Sequence, residues 1–472
     1  MPQEPIAVKA ASIDTSPPKV DRVERLNAKP PDLPADAVYK GYRSVYQKEI
    51  RIVRDYVEYQ IGRWYSASEH KYYESAYPSS YGGAIGSTLQ SFIQILHHCG
   101  DMTHRKIGEL LGHLGINLSG GSISNILTQS DWILGEQADL LKASLAHSPY
   151  HQIDSTMSKQ QGQRMHTQII CGKYFSLFYT QMSKSRLDVY AALQGQSRAH
   201  IQLAYNAVTA RQLEQAKVSL KHREYFKDHF SEAQILALDQ LEQIFDTEDL
   251  FKKTNPSRRS MIAGAFAAGF YAQQEQIPRV KHLISDDASE YKGIAQNKHH
   301  LCWVHAIRHY RILHPTDPYL RSVYEAFMRK LWDFYARMKT YGELPAKHTE
   351  AEKKQIIREF DQLFGKKTDY QKLNKQMGIT KKNKPQLLAF LEKPEVPLHN
   401  NNAERGARRV VRKRDISFHT WSEKGTRIRD AFMSMHQTAK KLNISFMDYL
   451  KDRNDKQYKI TSLAQQLINA YQ

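Results

Sequence analysis

The sequence has few cysteines and lacks any segment that would place it in a membrane. Its 472 residues include only Cys99, Cys171 and Cys302, and no two of them stand in a C-x-x-C arrangement. A cysteine-based zinc finger and a disulfide framework are therefore excluded, and scattered thiols are typical of a reducing compartment. No apolar run is long enough to span a bilayer, and no basic-then-apolar signal peptide is present. We expect a cytoplasmic protein.

Acidic residues are scarce relative to basic ones. The chain has 49 Asp and Glu against 68 Lys and Arg, which gives a formal net charge of +19. This balance favours a nucleic-acid partner that is bound through its phosphates with salt-sensitive affinity. Because 41% of the residues are hydrophobic, the chain can bury real cores, and its length predicts two or three domains.

One acid stands at the head of a dense basic stretch near the C-terminus. Glu404 is followed by six basic residues, which are Arg405, Arg408, Arg409, Arg412, Lys413 and Arg414. On a helix, the four arginines at 405, 408, 409 and 412 share one arc, and apolar residues share the opposite one. The pattern predicts a helix that directs guanidinium groups at a polyanion and holds Glu404 beside phosphates. The alternative is an exposed basic helix in which Glu404 only pairs with Arg408.

Two further acids stand at the ends of predicted strands. Asp154 lies on or just after a strand that opens a three-stranded meander, whose other strands lie within residues 165–180 and turn at Gly172. Asp286 ends the strand-like run 280–285. Acids at the ends of neighbouring strands can converge, and a metal ion can then bridge carboxylate and phosphate. For Asp286 and Asp287 the alternative is an ordinary turn or helix cap.

Four ordered blocks resemble those of the DDE transposases of bacterial insertion sequences, most closely the insertion-sequence-sixty-six type. In that family the blocks read H-x-D-E-T, S-D-G-Y-x-x-Y, C-W-x-H-x-R-R and N-N-x-A-E-R. The corresponding segments here are residues 151–156, 285–291, 302–308 and 401–405. The resemblance implies an α/β protein with a ribonuclease-H-like core of the retroviral-integrase type and a helical insertion. It also implies that Asp154, Asp286 and Glu404 are the catalytic metal ligands.

The chain departs from the family pattern at two positions near these acids. Ser155 stands where the family often has glutamate, and Asp287 where it has glycine. We favour Asp286 as the catalytic acid because it stands five residues before Tyr291, as the family acid does. The resemblance implies two Mg²⁺ or Mn²⁺ ions, with Asp154 bridging them and the other two acids each completing one.

Three further residues near the predicted site, Cys302, His305 and His151, are interpreted as structural. Cys302, His305 and His309 share a helical face, so that three N and S ligands would be available for zinc. Trp303 and its apolar neighbours favour instead a buried helix start in which Cys302 and His305 pack below the site. We interpret His151 as a core or supporting histidine rather than a general base.

The segment before the core is predicted to be helical. A helix from Thr103 to Leu114, a break at Gly115 and a helix at 122–134 that presents Ser122, Ser124 and Asn125 fit a DNA-reading helix-turn-helix. The alternative, to which we give equal weight, is a helical hairpin that packs on the core. The second helix contains no Arg or Lys, which weakens the case for direct base recognition.

Composition shifts and predicted elements divide the chain into seven segments. They are a flexible leader (1–36), a small N-terminal arm (37–80), the helical domain (81–149), the first part of the core (150–305, with a helical elaboration at 187–280), a helical insertion (306–397), the second part of the core with the glutamate (398–450), and a C-terminal tail (451–472).

The resemblance implies a DNA transposase that cleaves and transfers DNA strands for a bacterial insertion sequence. Expected partners are double-stranded DNA, as terminal inverted repeats and as target, and further copies of the chain assembled on DNA in the nucleoid. The basic residues from Arg405 to Arg414 would contact that DNA. A nuclease of the same fold that cuts without joining and a DNA-binding protein derived from a transposase stay open as alternatives. The presence of all three acids disfavours the second alternative.

Overall fold

The computed structural model of the chain describes residues 22–26, 33–34, 36–50, 53–78 and 81–472. The chain divides into two units, residues 1–53 and 54–472. Most of the predicted leader at 1–36 lies outside the described residues. The described residues of the first unit contain no helix or strand, and their side chains are exposed.

The second unit begins with a small hairpin and a group of three helices. Strands β1 (Arg63–Ser66) and β2 (Lys71–Glu74) pair antiparallel. The helices are α1 (Ser87–His98), α2 (His104–His113) and α3 (Gly120–Thr128). The hydroxyls of Thr103 and Ser119 accept hydrogen bonds from the first turns of α2 and α3, as oxygen side chains do at helix starts. Helix α3 ends earlier than expected, and α4 (Trp132–His147) is a separate helix.

The predicted three-stranded meander is confirmed. Strands β3 (His151–Gln160), β4 (Gln163–Cys171) and β5 (Ser176–Gln181) pair antiparallel in sequence order. Gly172 lies in the turn between β4 and β5, where a Cβ atom would collide with the ring of Phe175. The buried strand residues, including Ile153, Ile170 and Leu177, belong to the main hydrophobic core.

The elaboration predicted at 187–280 is mostly helical but also contains a short antiparallel pair. Its elements are α5 (Arg186–Leu193), β6 (Gln202–Ala204), α6 (Ala207–Gln215), α7 (Leu220–His229), β7 (Ile235–Ala237), α8 (Leu238–Thr247) and α9 (Pro256–Gln273). The sequence pattern predicts that residues 235–237 belong to a helix. These residues form strand β7 instead. Helix α9 is buried along most of its length against α5, α6 and β6.

Two parallel strands complete the main sheet. Strand β8 (His282–Ser285) pairs parallel with β3, and β9 (Lys298–Leu301) pairs parallel with β8. The sheet order is therefore β5-β4-β3-β8-β9. The strand expected before Asp286 is confirmed, and it lies directly beside the strand that carries Asp154.

The helical insertion has a hydrophobic core of its own. It contains α10 (Trp303–Arg311), α11 (Pro318–Glu343), α12 (Glu350–Gly365), α13 (Gln371–Lys382) and α14 (Lys384–Leu387). Trp303, Leu331 and Phe360 are buried in this separate core. The chain enters and leaves the insertion at one point, because the backbone N–H of Trp303 donates to Leu398 O at 2.9 Å.

The C-terminal part consists of four helices that pack on the sheet and on α4. They are α15 (Asn401–Ser417), α16 (Glu423–Lys441), α17 (Phe446–Asn454) and α18 (Leu463–Tyr471). The segment expected as a tail at 451–472 completes α17 and forms α18, which packs on α4. Within the described part of the chain, the helices are too short or too polar to cross a membrane.

Candidate active site

Asp154 lies on β3, and Asp286 directly follows the neighbouring parallel strand β8. Gln152 on β3 is in register with Ile284 on β8, and each acid stands two residues further along the chain, Asp154 within β3 and Asp286 directly after β8. Since side chains alternate along a strand, a step of two residues returns to the same face. The two acids therefore lie at the same level of the sheet, and the charge of Asp286 acts on Asp154.

Glu404 reaches the Asp154 face of the sheet on helix α15. Asp154 is paired across the β3–β4 ladder with Ile169, so both side chains lie on the same face. Gly406 on α15 rests against that isoleucine, and a Cβ atom at 406 would lie 2.7 Å from Ile169 Cγ2. Only glycine allows this close approach of helix to sheet. Glu404 stands two residues before this contact and is mostly buried, with 18% of its side chain exposed.

Hydrogen bonds fix the start of α15 to the strand of Asp154. The side chain of Gln152 donates to His399 O at 3.0 Å and accepts from the backbone N–H of Asn402 at 3.0 Å. Asn400 Nδ2 donates to Ile153 O at 2.7 Å. These contacts set the height of Glu404 relative to Asp154. Sequence reasoning missed Gln152, although a glutamine inside an otherwise buried strand was a signal that it bonds another segment.

The electrostatic environment of Asp154 indicates that the acids are close. The pKa of Asp154 is raised to about 6, chiefly by burial, with a smaller contribution from the nearby carboxylates of Asp286 and Glu404; the backbone N–H of Ser155 opposes the rise. Burial also raises the pKa of Tyr291, and a hydrogen bond to the Ser155 side chain opposes that rise. Like charges that influence one another's titration are typical of carboxylates that share a site.

The structure separates Asp286 from Asp287. Asp286 Oδ1 accepts the backbone N–H of Ala288 at 3.1 Å, and the charge of Asp286 acts on Asp154. Asp287 is engaged elsewhere, since it accepts from Asn383 Nδ2 at 2.9 Å and lies 3.0 Å from Lys292 Nζ. This geometry favours Asp286 over its neighbour as the acid of the site.

The residues expected to be structural near the site have distinct surroundings. Cys302 is buried, and its sulfur accepts the backbone N–H of Asn400 at 3.2 Å. His151 is buried on the other face of β3 from Asp154, and its Nε2 lies 3.2 Å from Ser144 O. His305 is closer to the three acids than expected, because its Nε2 lies 3.6 Å from Glu404 Oε1.

The basic side chains nearest to Glu404 belong to α10 rather than to its own helix. Arg308 NH2 lies 3.7 Å from Glu404 Oε1. No ion pair joins Glu404 to Arg408 within the described structure, so the simple helical pairing considered above does not occur there. In the same part of the chain, Glu404 Oε1 is buried without a hydrogen-bond partner. A buried carboxylate oxygen of this kind has capacity for a further ligand.

The three acids do not form a finished metal cage. Among the residues that the structure describes, no group of three or more His, Cys, Asp or Glu side chains is arranged so that it could hold a metal ion. The site therefore consists of two acids at one level of the sheet, with a third that α15 brings to the Asp154 face.

A cleft of about 650 Å³ opens from Asp286 towards the helical insertion. One wall is formed by His305, Arg308 and His309 of α10, and the opposite wall by α13 with Gln376 and Ile379. The cleft connects Asp286 to solvent.

The basic residues of α15 fall into two groups. Arg405, Arg408 and Arg412 are exposed, and within the described residues none of the three takes part in an ion pair. The other three basic residues contact the protein, and they are Arg409, Lys413 and Arg414. The single arc of four DNA-facing arginines expected from the helical pattern therefore contains three exposed members.

The inward group is held by the loop after α1. Arg409 binds the Asp101 carboxylate through both terminal nitrogens, with NH2 to Oδ1 at 2.8 Å, and also donates to His98 O at 2.9 Å. Lys413 is 4% exposed and donates to His97 O at 2.5 Å. Arg414 NH1 donates to Met157 O at 2.9 Å. Arg409 and Lys413 thus attach α1 and the loop after it to α15, whereas Arg414 attaches α15 to β3.

The predicted DNA-reading residues of α3 do not share one surface. Ser122 and Asn125 border one cleft, together with Arg453 and Lys456, whereas Ser124 borders another, beside Lys413. Helices α1 and α3 also pack on α16 and α17. Both the helix-turn-helix and the packing-hairpin interpretations therefore stay open.

Comparisons with known proteins identify the family. Residues 253–428, which include Asp286 and Glu404, match the Transposase IS66 family. The chain is also 30% identical over 328 residues to "Uncharacterized protein y4jO" of Sinorhizobium fredii, an alignment that covers 66% of this chain and 94% of that protein. These findings define a transposase-related protein. The chain belongs to the IS66 transposase family, and this membership implies DNA as a partner.

Proposed function

We propose that this protein is a DDE transposase that cleaves DNA strands and joins them to a target with the help of divalent metal ions. The observation that carries the proposal is the placement of Asp154 and Asp286 at one level of the sheet, with Glu404 delivered to the Asp154 face by α15. The sheet order, an antiparallel meander followed by two parallel strands, supports a ribonuclease-H-like core.

The residues present fit Mg²⁺ or Mn²⁺ by their chemistry. Carboxylate oxygens are the donors these ions prefer, and Mg²⁺ keeps several waters, so that few protein ligands suffice. The buried, unpartnered Oε1 of Glu404 and the raised pKa of Asp154 indicate capacity for a cation. Asp154, Asp286 and Glu404 would hold two such ions. Bound metal would stabilise the attacking and leaving oxygens of a displacement at phosphorus.

The chain's own side chains would position the DNA around these acids. Arg405, Arg408 and Arg412 follow Glu404 along one exposed side of α15, where guanidinium groups can bind successive phosphates. Arg308 lines the cleft beside Glu404 and can neutralise a phosphate that enters there. His305, close to Glu404, would hold that carboxylate in place.

Strand cleavage by the purified full chain tests the proposal. A labelled duplex that contains the ends of the element would be incubated with Mg²⁺ or Mn²⁺, and nicked and joined products would be separated on a denaturing gel. Asp154→Asn, Asp286→Asn and Glu404→Gln should each reduce cleavage by about 10³-fold or more, because charge stabilisation in the transition state is lost. Binding of the same DNA should change little.

Asp287→Asn is the matched control, because this neighbouring carboxylate is engaged by Asn383 and Lys292. It should retain cleavage. Full activity in any of the three acid variants would remove that residue from the site. Cleavage without joined products would indicate a nuclease rather than a transposase, and binding without cleavage under any metal would indicate a DNA-binding derivative.

A further inference from the structure

A groove that the proposed chemistry does not use lies at the far end of α15. It has a volume of about 470 Å³, and we call it the aromatic groove because Phe418 and Trp421 line it together with Ser158, Arg414 and Ser124. Phe418 is 70% exposed and Trp421 is 76% exposed. Within residues 81–472, no other large apolar side chain is as exposed as these two. The groove lies on the order of 20 Å from Glu404, given the rise per residue of a helix.

The backbone at Phe418 is strained. Its φ is +56° and its ψ is −61°, and the backbone N–H of His419 donates to Ser417 O at 2.7 Å across it. This is a three-residue turn of the rare, strained type, which a bulky aromatic residue seldom adopts. Strain of this kind persists when the surrounding structure enforces it, and it is concentrated at functional sites.

The surrounding structure does enforce this conformation. Thr420 N donates to Lys159 O at 3.3 Å, and Gln161 N donates to Thr420 O at 2.8 Å. Gln161 Nε2 also donates to Trp421 O at 2.7 Å. Residues 418–421 are thus bonded to the tip of the β3–β4 hairpin. A backbone held in this way presents both rings to solvent with little conformational freedom left to lose on binding.

The charges around the aromatic groove indicate its occupant. Lys159 and Arg164 are paired across the hairpin and exposed, and Arg414 lines the groove itself. Asp415 and Glu423 are the acids nearest in sequence, and Asp415 lies 3.5 Å from Arg414 NH2. A basic rim around exposed rings suits a nucleotide whose phosphate binds the rim and whose base stacks.

The inner wall of the groove combines neutral histidine rings with the basic side chains of Lys413, Arg414 and Arg429. Burial, together with the nearby charge of Lys413, lowers the pKa of His97 to about 3. Burial also lowers the pKa of His104. Both rings line the groove as neutral aromatic surfaces. The neutral rings can receive a base, and the basic side chains beside them can bind its phosphate.

We propose that the aromatic groove binds an unpaired nucleotide of the DNA, with its base stacked on Trp421 and Phe418. The proposal rests on the proposed function, since it requires DNA on the exposed side of α15. It adds a second DNA site that takes no part in the phosphoryl chemistry. A base held there would fix the register of the duplex relative to the acids.

Equilibrium binding to two DNA probes tests the groove. The probes are a fluorescent duplex of arbitrary sequence and the same duplex with a short central bulge, both titrated with full-length protein at one salt concentration. The wild-type protein should bind the bulged probe roughly 5- to 150-fold more tightly, as expected for stacking one base. Trp421→Ala and Phe418→Leu should remove most of this preference and leave affinity for the paired duplex nearly unchanged.

Three further variants keep the test independent of folding defects. Trp421→Phe retains a ring and should keep much of the preference. Phe418→Gly relieves the positive φ, so it should maintain or raise the melting temperature while losing the preference. Trp332→Ala, a surface tryptophan of the insertion that is 39% exposed, is the control and should behave as the wild type does.

Two results would overturn the proposal. One is an absence of preference for bulged DNA in the wild-type protein, and the other is an unchanged preference in folded Trp421→Ala and Phe418→Gly. Altered self-association in these variants with unchanged DNA preference would assign the rings to a protein contact instead. Failure of the proposed function would look different, because the groove would still select bulged DNA while no metal-dependent cleavage occurred.

Discussion

The exposed and the inward sides of α15 carry basic residues of similar chemistry in different surroundings. Arg405, Arg408 and Arg412 face solvent, whereas Arg409 and Lys413 reach the Asp101 loop and the last turn of α1. An exposed guanidinium keeps most of its hydration and can exchange it for a phosphate. An enclosed guanidinium, such as that of Arg409, has already exchanged its hydration water for a carboxylate and backbone carbonyls.

One basic run can therefore serve two purposes. Arg409 and Lys413 join α1 and the loop after it to the helix of Glu404, and the outward group is available to a polyanion. Residue type alone does not separate them. Substitutions on the two sides should therefore change different measured quantities, protein stability on one side and DNA affinity on the other.

The largest effect within this comparison is expected from Arg409→Ala. The change leaves the Asp101 carboxylate and two backbone carbonyls, His98 O and Cys99 O, without their donor. Breaking a largely enclosed ion pair from one side should lower the free energy of unfolding by about 3 kcal/mol. Urea denaturation followed by circular dichroism measures this loss.

The neighbouring Arg408→Ala serves as the control for that loss. Its side chain is exposed, so the free energy of unfolding should stay within about 0.5 kcal/mol of the wild-type value. Equal destabilisation by both variants would abolish the distinction between the two sides of α15.

Replacing the three exposed arginines should have a smaller effect. It should change DNA affinity rather than protein stability. Arg405→Gln, Arg408→Gln and Arg412→Gln preserve the helix and remove three cations. Affinity for DNA of any sequence should fall, and the slope of log K against log salt should flatten by roughly one unit for each phosphate that is no longer bound. Titrations across a salt series measure the slope.

Arg409→Gln provides the comparison for the salt series, because its side chain is engaged with Asp101. Its slope should match that of the wild type. If the outward variants also left the slope unchanged, the exposed arginines would have no role in holding DNA.

The smallest effect is a pH dependence of stability due to Lys413. Burial lowers the pKa of its amine to about 8, although Asp101 opposes the shift. Between this pKa and the ordinary lysine value near 10.5, the unfolded chain keeps a proton that the folded chain has released. Stability contributed by this residue should therefore rise with pH across the window. In Lys413→Met that rise should be absent, and the difference in unfolding free energy between pH about 8 and about 10 measures it.

Much of the site follows from local sequence patterns. The helix of Glu404, the meander of Asp154 and the strand before Asp286 are encoded by side-chain periodicity within short windows, which a sequence displays directly. The inward orientation of Arg409 could not be predicted in this way. Its partner, Asp101, is 308 positions away in the chain, and a helical wheel contains no information on what the opposite surface carries.

Other differences have local physical causes. Strand β7 is only three residues long and merges directly into α8, so that its pattern is hidden within the helical one. Helix α3 ends near Ser130, whose Oγ accepts from Gln94 Nε2 at 3.0 Å. That hydrogen bond to α1 competes with helix continuation, and it depends on tertiary packing.

The point at which the chain enters and leaves the insertion has a consequence for how such proteins diverge. Trp303 and Leu398 are hydrogen-bonded to each other, while the insertion fills its own hydrophobic core. A segment closed at its base can gain or lose a helix, or be exchanged for another, at the cost of loop closure and of its contacts with β9 and Asp287. The register that joins Gln152 to Asn402 would survive such an exchange, so the reach of the protein over DNA can diversify while the acids stay where they are.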